Sequence, residues 1–323
     1  MIWRLPTIAL SLILAVWPAV AFAQETGAVP VIGILRSSFA TQHDYAMEAI
    51  RAELRAKGYA EGQNIRIEQR FANGRTELLP KLAEELVQMK VKVLIALNEA
   101  SLRAAKQATS TIPIIVIAYD HDPVASGLID SMTRPGGNVT GIFSRHVELD
   151  GKRLELLKET VPAATRIAVL HDSASRATDG LEAAGKQLGL PLRFVELKNP
   201  KEFEGAMKLA AKNAQAAILL FSPMIFDYRI RLASLATEAR LPTMTQAREF
   251  VLAGALMSYA PDRTEVAART AYFIDRLLRG ASPSDLPVEE AATFKLTVNL
   301  ETAKTLGIAI PQSILLRADE VIR

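Results

Sequence analysis

Short runs of consecutive apolar residues alternate along the chain with longer stretches in which apolar residues recur every three or four positions. Val31-Ile-Gly-Ile-Leu35 is continuous and apolar, the mark of a strand buried on both faces. A helix follows in which Met47, Ile50 and Leu54 share one face, and Gly58 ends it as a C′ glycine. The next strand covers residues 64–70. Thr76 then caps a helix that holds Pro80 in its first turn and Leu82, Leu86 and Met89 on its apolar face. A strand at 91–97, a helix at 99–108 and a strand at 113–119 complete a βαβαβαβ succession. Such a succession calls for right-handed crossovers and a parallel sheet.

Arg134-Pro-Gly-Gly-Asn-Val-Thr-Gly141 breaks the rhythm as a loop, and the short run 139–143 follows. A second round then begins, with a helix at 148–160 and a buried strand at 167–170. It continues with a helix ending at Gly189, a strand at 192–197, a helix at 200–213 and a strand at 216–221. Both rounds open on an apolar strand that runs into a polar loop before a helix, at residues 30–38 and 166–173. The pattern predicts an α/β protein of two doubly wound parallel-sheet domains. Residues 254–259 are strand-like, 264–279 form an amphipathic helix, 283–287 a turn-rich link, 294–298 a strand and 300–306 a short helix. One helix and one strand cannot bury a core alone, so these pieces complete the two earlier sheets and the chain passes between domains more than once.

The N-terminus reads differently. Met1 to Arg4 are a short positive region, an apolar run spans residues 8–17, and Ala21-Phe22-Ala23 is a small-x-small cleavage signature before Gln24. Residues 1–23 are expected to be a signal peptide cleaved after Ala23, because the run is too short for a permanent anchor. The mature protein is expected in the periplasm, soluble and exported. Export weighs against partners confined to the cytosol, such as ATP, NAD or DNA.

With 323 residues, half of them hydrophobic, the chain can build cores for about two domains. The 38 basic and 35 acidic residues form no polybasic block, which argues against nucleic acid. Cysteine is absent, which excludes disulfides, Cys-ligated metals, thiol nucleophiles and acylation of a lipoprotein cysteine.

Tests for chemistry return nothing that would make an enzyme. No dinucleotide fingerprint follows the first strand, and phosphate-loop, nucleophile-elbow and H-E-x-x-H motifs are absent. Three histidines precede an aspartate, in His43-Asp44, His121-Asp122 and His171-Asp172. Their spacing suits turns and helix starts better than a metal, so no metal site and no cofactor are expected. Asn138-Val139-Thr140 fits a glycosylation pattern but is accounted for as a turn. Glu84-Glu85 and Glu289-Glu290 are read as solvated, the first on a helix flank and the second on a linker.

The strand-end loops do carry a set of polar and aromatic groups. In the first domain these are Ser37, Ser38, Asn98, Glu99, Ser101, Tyr119 and Asp120. In the second they are Asp172, Ser173 and residues 223–227, with Pro223 and Phe226, while Tyr259 sits on an interdomain passage. Ligands of doubly wound sheets bind beyond the carboxyl ends of the strands, where following helices present free N–H groups. Two such rims facing each other make a small-molecule cleft.

Several stretches resemble a known family. They are residues 30–35, Leu54-Arg-Ala-Lys-Gly-Tyr-Ala-Glu-Gly-Gln-Asn64, residues 82–87, Asp122-Pro123-Val124 and the 134–141 loop. Lys152-Arg-Leu-Glu-Leu-Leu-Lys158, Ala255-Leu-Met-Ser-Tyr259, Asn299-Leu-Glu-Thr-Ala-Lys-Thr-Leu-Gly307 and residues 315–322 continue the match. The sequence resembles the ABC-transporter substrate-binding family, whose relatives include tryptophan- and aromatic-acid-binding proteins. The resemblance implies a type I periplasmic-binding-protein fold, with crossovers near 142–146, 257–262 and 286–292. The lobes would then be 29–142 plus 257–286 and 146–256 plus 288–323. It implies a non-enzymatic monomer that closes two lobes over a small organic molecule, an aromatic or amino-acid-like compound among the candidates, and delivers it to an ABC permease in the inner membrane. The alternative use of the same fold is a ligand-sensing input to a membrane receptor kinase. One departure stands out. Relatives carry Gly-Gly-Thr-Pro or a near variant after the third strand, where this chain has Leu97-Asn98-Glu99-Ala100-Ser101. Glu99 suits a helix start but repels a ligand carboxylate, so it either points away or meets a donor group of the ligand.

Overall fold

The computed structural model of the protein describes residues 29–40, 44–119, 123–144, 146–172 and 178–323, so the expected signal peptide lies outside the described residues. The first round of apolar runs gives β1 (Val31–Arg36), α1 (Tyr45–Ala56), β2 (Arg66–Phe71), α2 (Leu79–Gln88), β3 (Val93–Ala96), α3 (Glu99–Ala108), β4 (Ile114–Tyr119) and β5 (Val139–Ser144). The second gives α4 (His146–Thr160), β6 (Ile167–His171), α5 (Thr178–Gln187), β7 (Leu192–Glu196), α6 (Phe203–Asn213) and β8 (Ala216–Leu219). There follow α7 (Pro223–Asp227), α8 (Arg229–Glu238), β9 (Thr243–Thr245), α9 (Arg248–Leu252), β10 (Met257–Pro261) and α10 (Arg263–Leu278). The chain closes with β11 (Glu289–Glu290), β12 (Phe294–Asn299), α11 (Leu300–Leu306), α12 (Gln312–Arg317) and β13 (Glu320–Ile322).

Two sheets result, with strand orders β2-β1-β3-β4-β5-β11 and β7-β6-β8-β9-β10-β12-β13. The first five strands of each order correspond one to one and pair in parallel. The antiparallel pair β10–β12 then extends the second sheet. Each sheet is buried on both faces. On the first, Ile32 and Ile34 point toward α1 and α10, where they meet Met47, Ile50 and Ile274. Leu35 points the other way, toward Leu86 on α2 and Leu102 on α3, as the period-two alternation of a strand requires. The second sheet is covered in the same manner, by α6, α8 and α9 on one side and α4, α5 and α11 on the other.

The structure departs from the sequence reading in four places. Thr76 does not cap a helix; it opens a 3-10 turn over Thr76–Leu78, and α2 starts at Leu79 with Pro80 in its first turn, where no N–H is needed. Glu289-Glu290 is not a linker but an edge strand paired with β5, and Glu289 is held by an ion pair to Arg269. Residues 257–261 pair with β9 and β12, so they belong to the second lobe and the passage back to the first falls at Asp262. Leu286, Val288 and Ala291 are buried in the first lobe's cores, which moves the last passage to residues 292–293.

The 134–141 loop earns its composition. Gly141 has φ +140° beside β4, and a Cβ there would fall 2.1 Å from the Val116 carbonyl oxygen. The Asn138 amide donates to the carbonyls of Thr109 and Ile112 at 3.2 and 2.8 Å, and the Thr140 hydroxyl donates to that of Leu286 at 3.0 Å. Asn138 and Thr140 are therefore structural joints between strand ends and the returning chain.

Candidate ligand cleft

In each sheet the strand order reverses direction next to the first strand, between β1 and β3 and between β6 and β8, the point at which a doubly wound sheet has its crevice, beyond the carboxyl ends. In the first lobe the crevice is bridged by Asn98. Its backbone is extended, its Oδ1 accepts from the Ser101 N–H at 2.8 Å to cap α3, and its amide donates to the Ser37 hydroxyl. One side chain thus joins the end of β1 to the start of the helix after β3. The second lobe repeats the device with other residues. Ser222 caps α7 by accepting from the Ile225 N–H at 3.1 Å, and its hydroxyl donates to Asp172 Oδ2 at the end of β6.

These joints place the sequence-predicted residues in two layers. Ser37, Ser101 and Asp172 are buried and form the floor of the rims. Ser38, Asn98, Glu99, Pro223, Phe226 and Tyr259 are half-buried and available at the surface of the rims. Glu99 lies along α3, where its carboxylate takes the Arg103 guanidinium at 2.6 Å one turn on. Tyr119 ends β4 at the same edge, and Asp120, Ser173, His43, His121 and Asp122 lie outside the described residues. Phe226 belongs to an aromatic cluster, with ring centroids 5.4 Å from Phe221 and 6.0 Å from Phe250. The guanidinium carbons of Arg229 and Arg263 lie 4.7 and 6.0 Å from its ring centre. Asp44 caps α1 and pairs with Arg36, and His171 packs edge-on to Phe194, so both are used structurally. Among the described residues no three His, Cys, Asp or Glu side chains gather to hold a metal.

Sequence reasoning missed the groups behind the second rim. Arg153 and Asp150, one turn apart on α4, are both fully buried and paired at 2.9 Å. Arg153 Nε also donates to the Tyr259 carbonyl at 2.9 Å. Gln246 at the end of β9 donates to Asp150 Oδ1 at 3.3 Å and accepts from the Phe221 N–H at 2.6 Å. Burial pushes the Asp150 carboxyl above the ordinary aspartate range, while Arg153 and Gln246 hold it back. The network ties the ends of β8, β9 and β10 to the helix that enters the lobe. A signal existed: Asp150 and Arg153 fall on the same helical face as Leu154 and Leu157, a charged pair on an apolar stripe.

The passages between lobes are laced together. Arg263, the first residue of α10, grips the buried Glu249 of α9 with Nε–Oε1 at 2.5 Å and Nη2–Oε2 at 2.6 Å. Asp262 holds Lys295 at 2.9 Å, its N–H donates to the Thr293 carbonyl at 2.8 Å, and the Thr293 N–H donates to Glu265 at 3.0 Å. The second and third passages therefore run side by side as one joint.

The sequence pattern of the family described as ABC transporter substrate binding protein matches residues 39–322. The chain belongs to that family. This ABC transporter substrate-binding protein is 27% identical over 269 residues to a tyrosine-binding protein of Clostridioides difficile, covering 82% of this chain and 77% of that one. Its fold is that of a Streptococcus pneumoniae domain solved with L-Trp, at TM-score 0.80 and 24% identity over 91% of this chain and 99% of the other. A ligand-free, open substrate-binding protein with adhesive properties from Clostridium difficile superposes at TM-score 0.65 and 24% identity, over the same shares of the two chains. The two-lobed α/β architecture of this family is that of type I periplasmic binding proteins.

Proposed function

We propose that this protein is the solute-capturing component of an ABC importer, exported to the periplasm, which closes two lobes over an aromatic amino acid and hands it to an inner-membrane permease. The observation that carries the reading is the pair of matched rims. Asn98 and Ser222 brace corresponding strand ends in the two lobes, and the half-buried ring of Phe226, on the helix that Ser222 caps, heads an aromatic cluster beside the second of these strand ends. An aromatic face supplies apolar area for a flat ligand, and the capped helix starts supply polar groups that orient it. The tyrosine-binding and tryptophan-bound relatives support the same ligand class. The protein acts on its own as a receptor without chemistry, with Ser38, Asn98, Tyr119, Phe226 and Tyr259 proposed as ligand contacts.

Calorimetric titration with L-tryptophan and L-tyrosine tests this. About one molecule per chain is expected to bind, to be recovered intact, and to raise the melting temperature, because a ligand that binds only the folded form stabilises it by mass action. Chemical turnover of the bound compound would replace the receptor with an enzyme. Export has its own test. Protein recovered from a periplasmic extract should begin at Gln24 on N-terminal sequencing, and recovery only with membranes, still starting at Met1, would refute cleavage after Ala23.

A further inference from the structure

Asp227, at the end of α7, reaches out of its own lobe. Its Oδ2 accepts from the backbone N–H of Phe39, in the loop after β1, at 3.3 Å and across 188 positions of sequence. Its Oδ1 is buried with no hydrogen-bond partner among the described residues, and so is Nε of Arg36 at the end of β1. Two cations act on this carboxylate, Arg36 from β1 and Arg229 from α8. Both are committed elsewhere. Arg36 binds Asp44 and Gln69 and lies 5.4 Å over the Phe71 ring, and Arg229 donates to the Phe226 carbonyl at 3.0 Å while covering its ring. With the rims together, Oδ2 of this half-buried carboxylate keeps a long hydrogen bond at an exposed position, while Oδ1 has lost its water and gained no partner among the described residues. With the rims apart, both of its oxygens are solvated. A carboxylate buried with an unfilled acceptor opposes whatever movement buries it.

We infer that Asp227 limits affinity: it works against lobe closure and so sets how long solute stays bound, without touching the solute. It is a positioning residue, acting through the distance between the rims. The effect carries a pH signature. Burial pushes the Asp227 carboxyl upward, against the pull of the Phe39 N–H, Arg229 and Arg36. The closed form therefore takes up a proton more readily than the open one. Closure is favoured at pH below the open-form value, and that advantage is lost as pH rises through the closed-form value.

The inference rests on the two-lobed receptor reading but is tested without a ligand. The native chain has no cysteine, so Lys81→Cys and Lys201→Cys place one spin label on each lobe. The interlobe distance distribution is then measured in ligand-free protein between about pH 4 and pH 8. Asp227→Asn keeps an acceptor for Phe39 and removes the charge; Asp227→Ala removes both. Each is expected to raise the closed-to-open ratio roughly 5-fold or more at about pH 8 and to flatten its pH dependence, whereas the parent closes as pH falls. Equal distributions in parent and variants at the upper pH would overturn the inference. So would closure in the Asn variant alone, which would assign the effect to its new amide donor. Release of L-tryptophan, followed by stopped flow, should slow by the same factor. Failure of L-tryptophan to bind at all would count against the proposed ligand class and leave the distance measurement to decide on Asp227.

Discussion

Replacing Arg153 by methionine is expected to destabilise the protein by about 3–5 kcal/mol and to lower the melting temperature by roughly 10 °C. Methionine fills much of the space but supplies no charge, so Asp150 is left buried beside an apolar chain with only Gln246 donating to it. The Tyr259 carbonyl also loses its partner, just before the chain leaves the second lobe. The sign of the pH effect follows. Without Arg153, burial raises the Asp150 carboxyl further, since two of the three influences that lower it are gone. The folded pKa then lies above the unfolded one, so the deficit is full at neutral pH and shrinks as pH falls through the raised value. Thermal unfolding across a pH series checks this. Asp150→Asn on top of Arg153→Met should recover part of the loss. A single variant within about 1 kcal/mol of the parent at neutral pH would show that the pair is not a structural joint.

Truncating Phe226 to alanine is expected to weaken binding of L-tryptophan or L-tyrosine by about 5- to 150-fold, equivalent to 1–3 kcal/mol. The ring is half-buried against Phe221 and Phe250, which fixes its orientation, and the guanidinium groups of Arg229 and Arg263 are held against it. Its loss removes apolar area from the second rim and uncovers the guanidinium groups of Arg229 and Arg263, which stay anchored on the backbone carbonyl of that position and on Glu249. Tyr119→Ala, on the opposite rim at the end of β4, is expected to fall in the same range. Titration of both variants separates the possibilities. If each binds as tightly as the parent, the strand-end loops do not line the site.

What the sequence discloses depends on how local its physics is. β1 and β6 are continuous apolar runs, and α1 and α10 keep their buried residues on one stripe, so each announces itself within a few turns of chain. β9 gives no such signal, because two of its three buried residues are threonines, and it is flanked by helices of ten and five residues. The pair of glutamates in β11 looks solvated until β5 lies beside it. The site divides in the same way. That strand ends carry the rims follows from topology alone, and Ser222-Pro223 is a readable helix start. The Tyr259 carbonyl that Arg153 reaches and the Phe39 N–H that Asp227 reaches lie 106 and 188 positions away, so the first contact exists only once the second lobe has folded and the second only once the two lobes have assembled.

The interleaving of the lobes has a bearing on how the chain is made. The face of the first sheet built on Ile32, Ile34, Ile95 and Ile115 is covered only in part, by α1, until α10 has been synthesised, since Ala271, Phe273 and Ile274 complete its cover. The second sheet waits longer still, for β12 and β13 near the end of the chain. Contacts this distant in sequence form late and slowly. A nascent chain emerging from the ribosome therefore cannot finish either lobe before most of it has appeared, and an unfinished chain is the form that the proposed export requires.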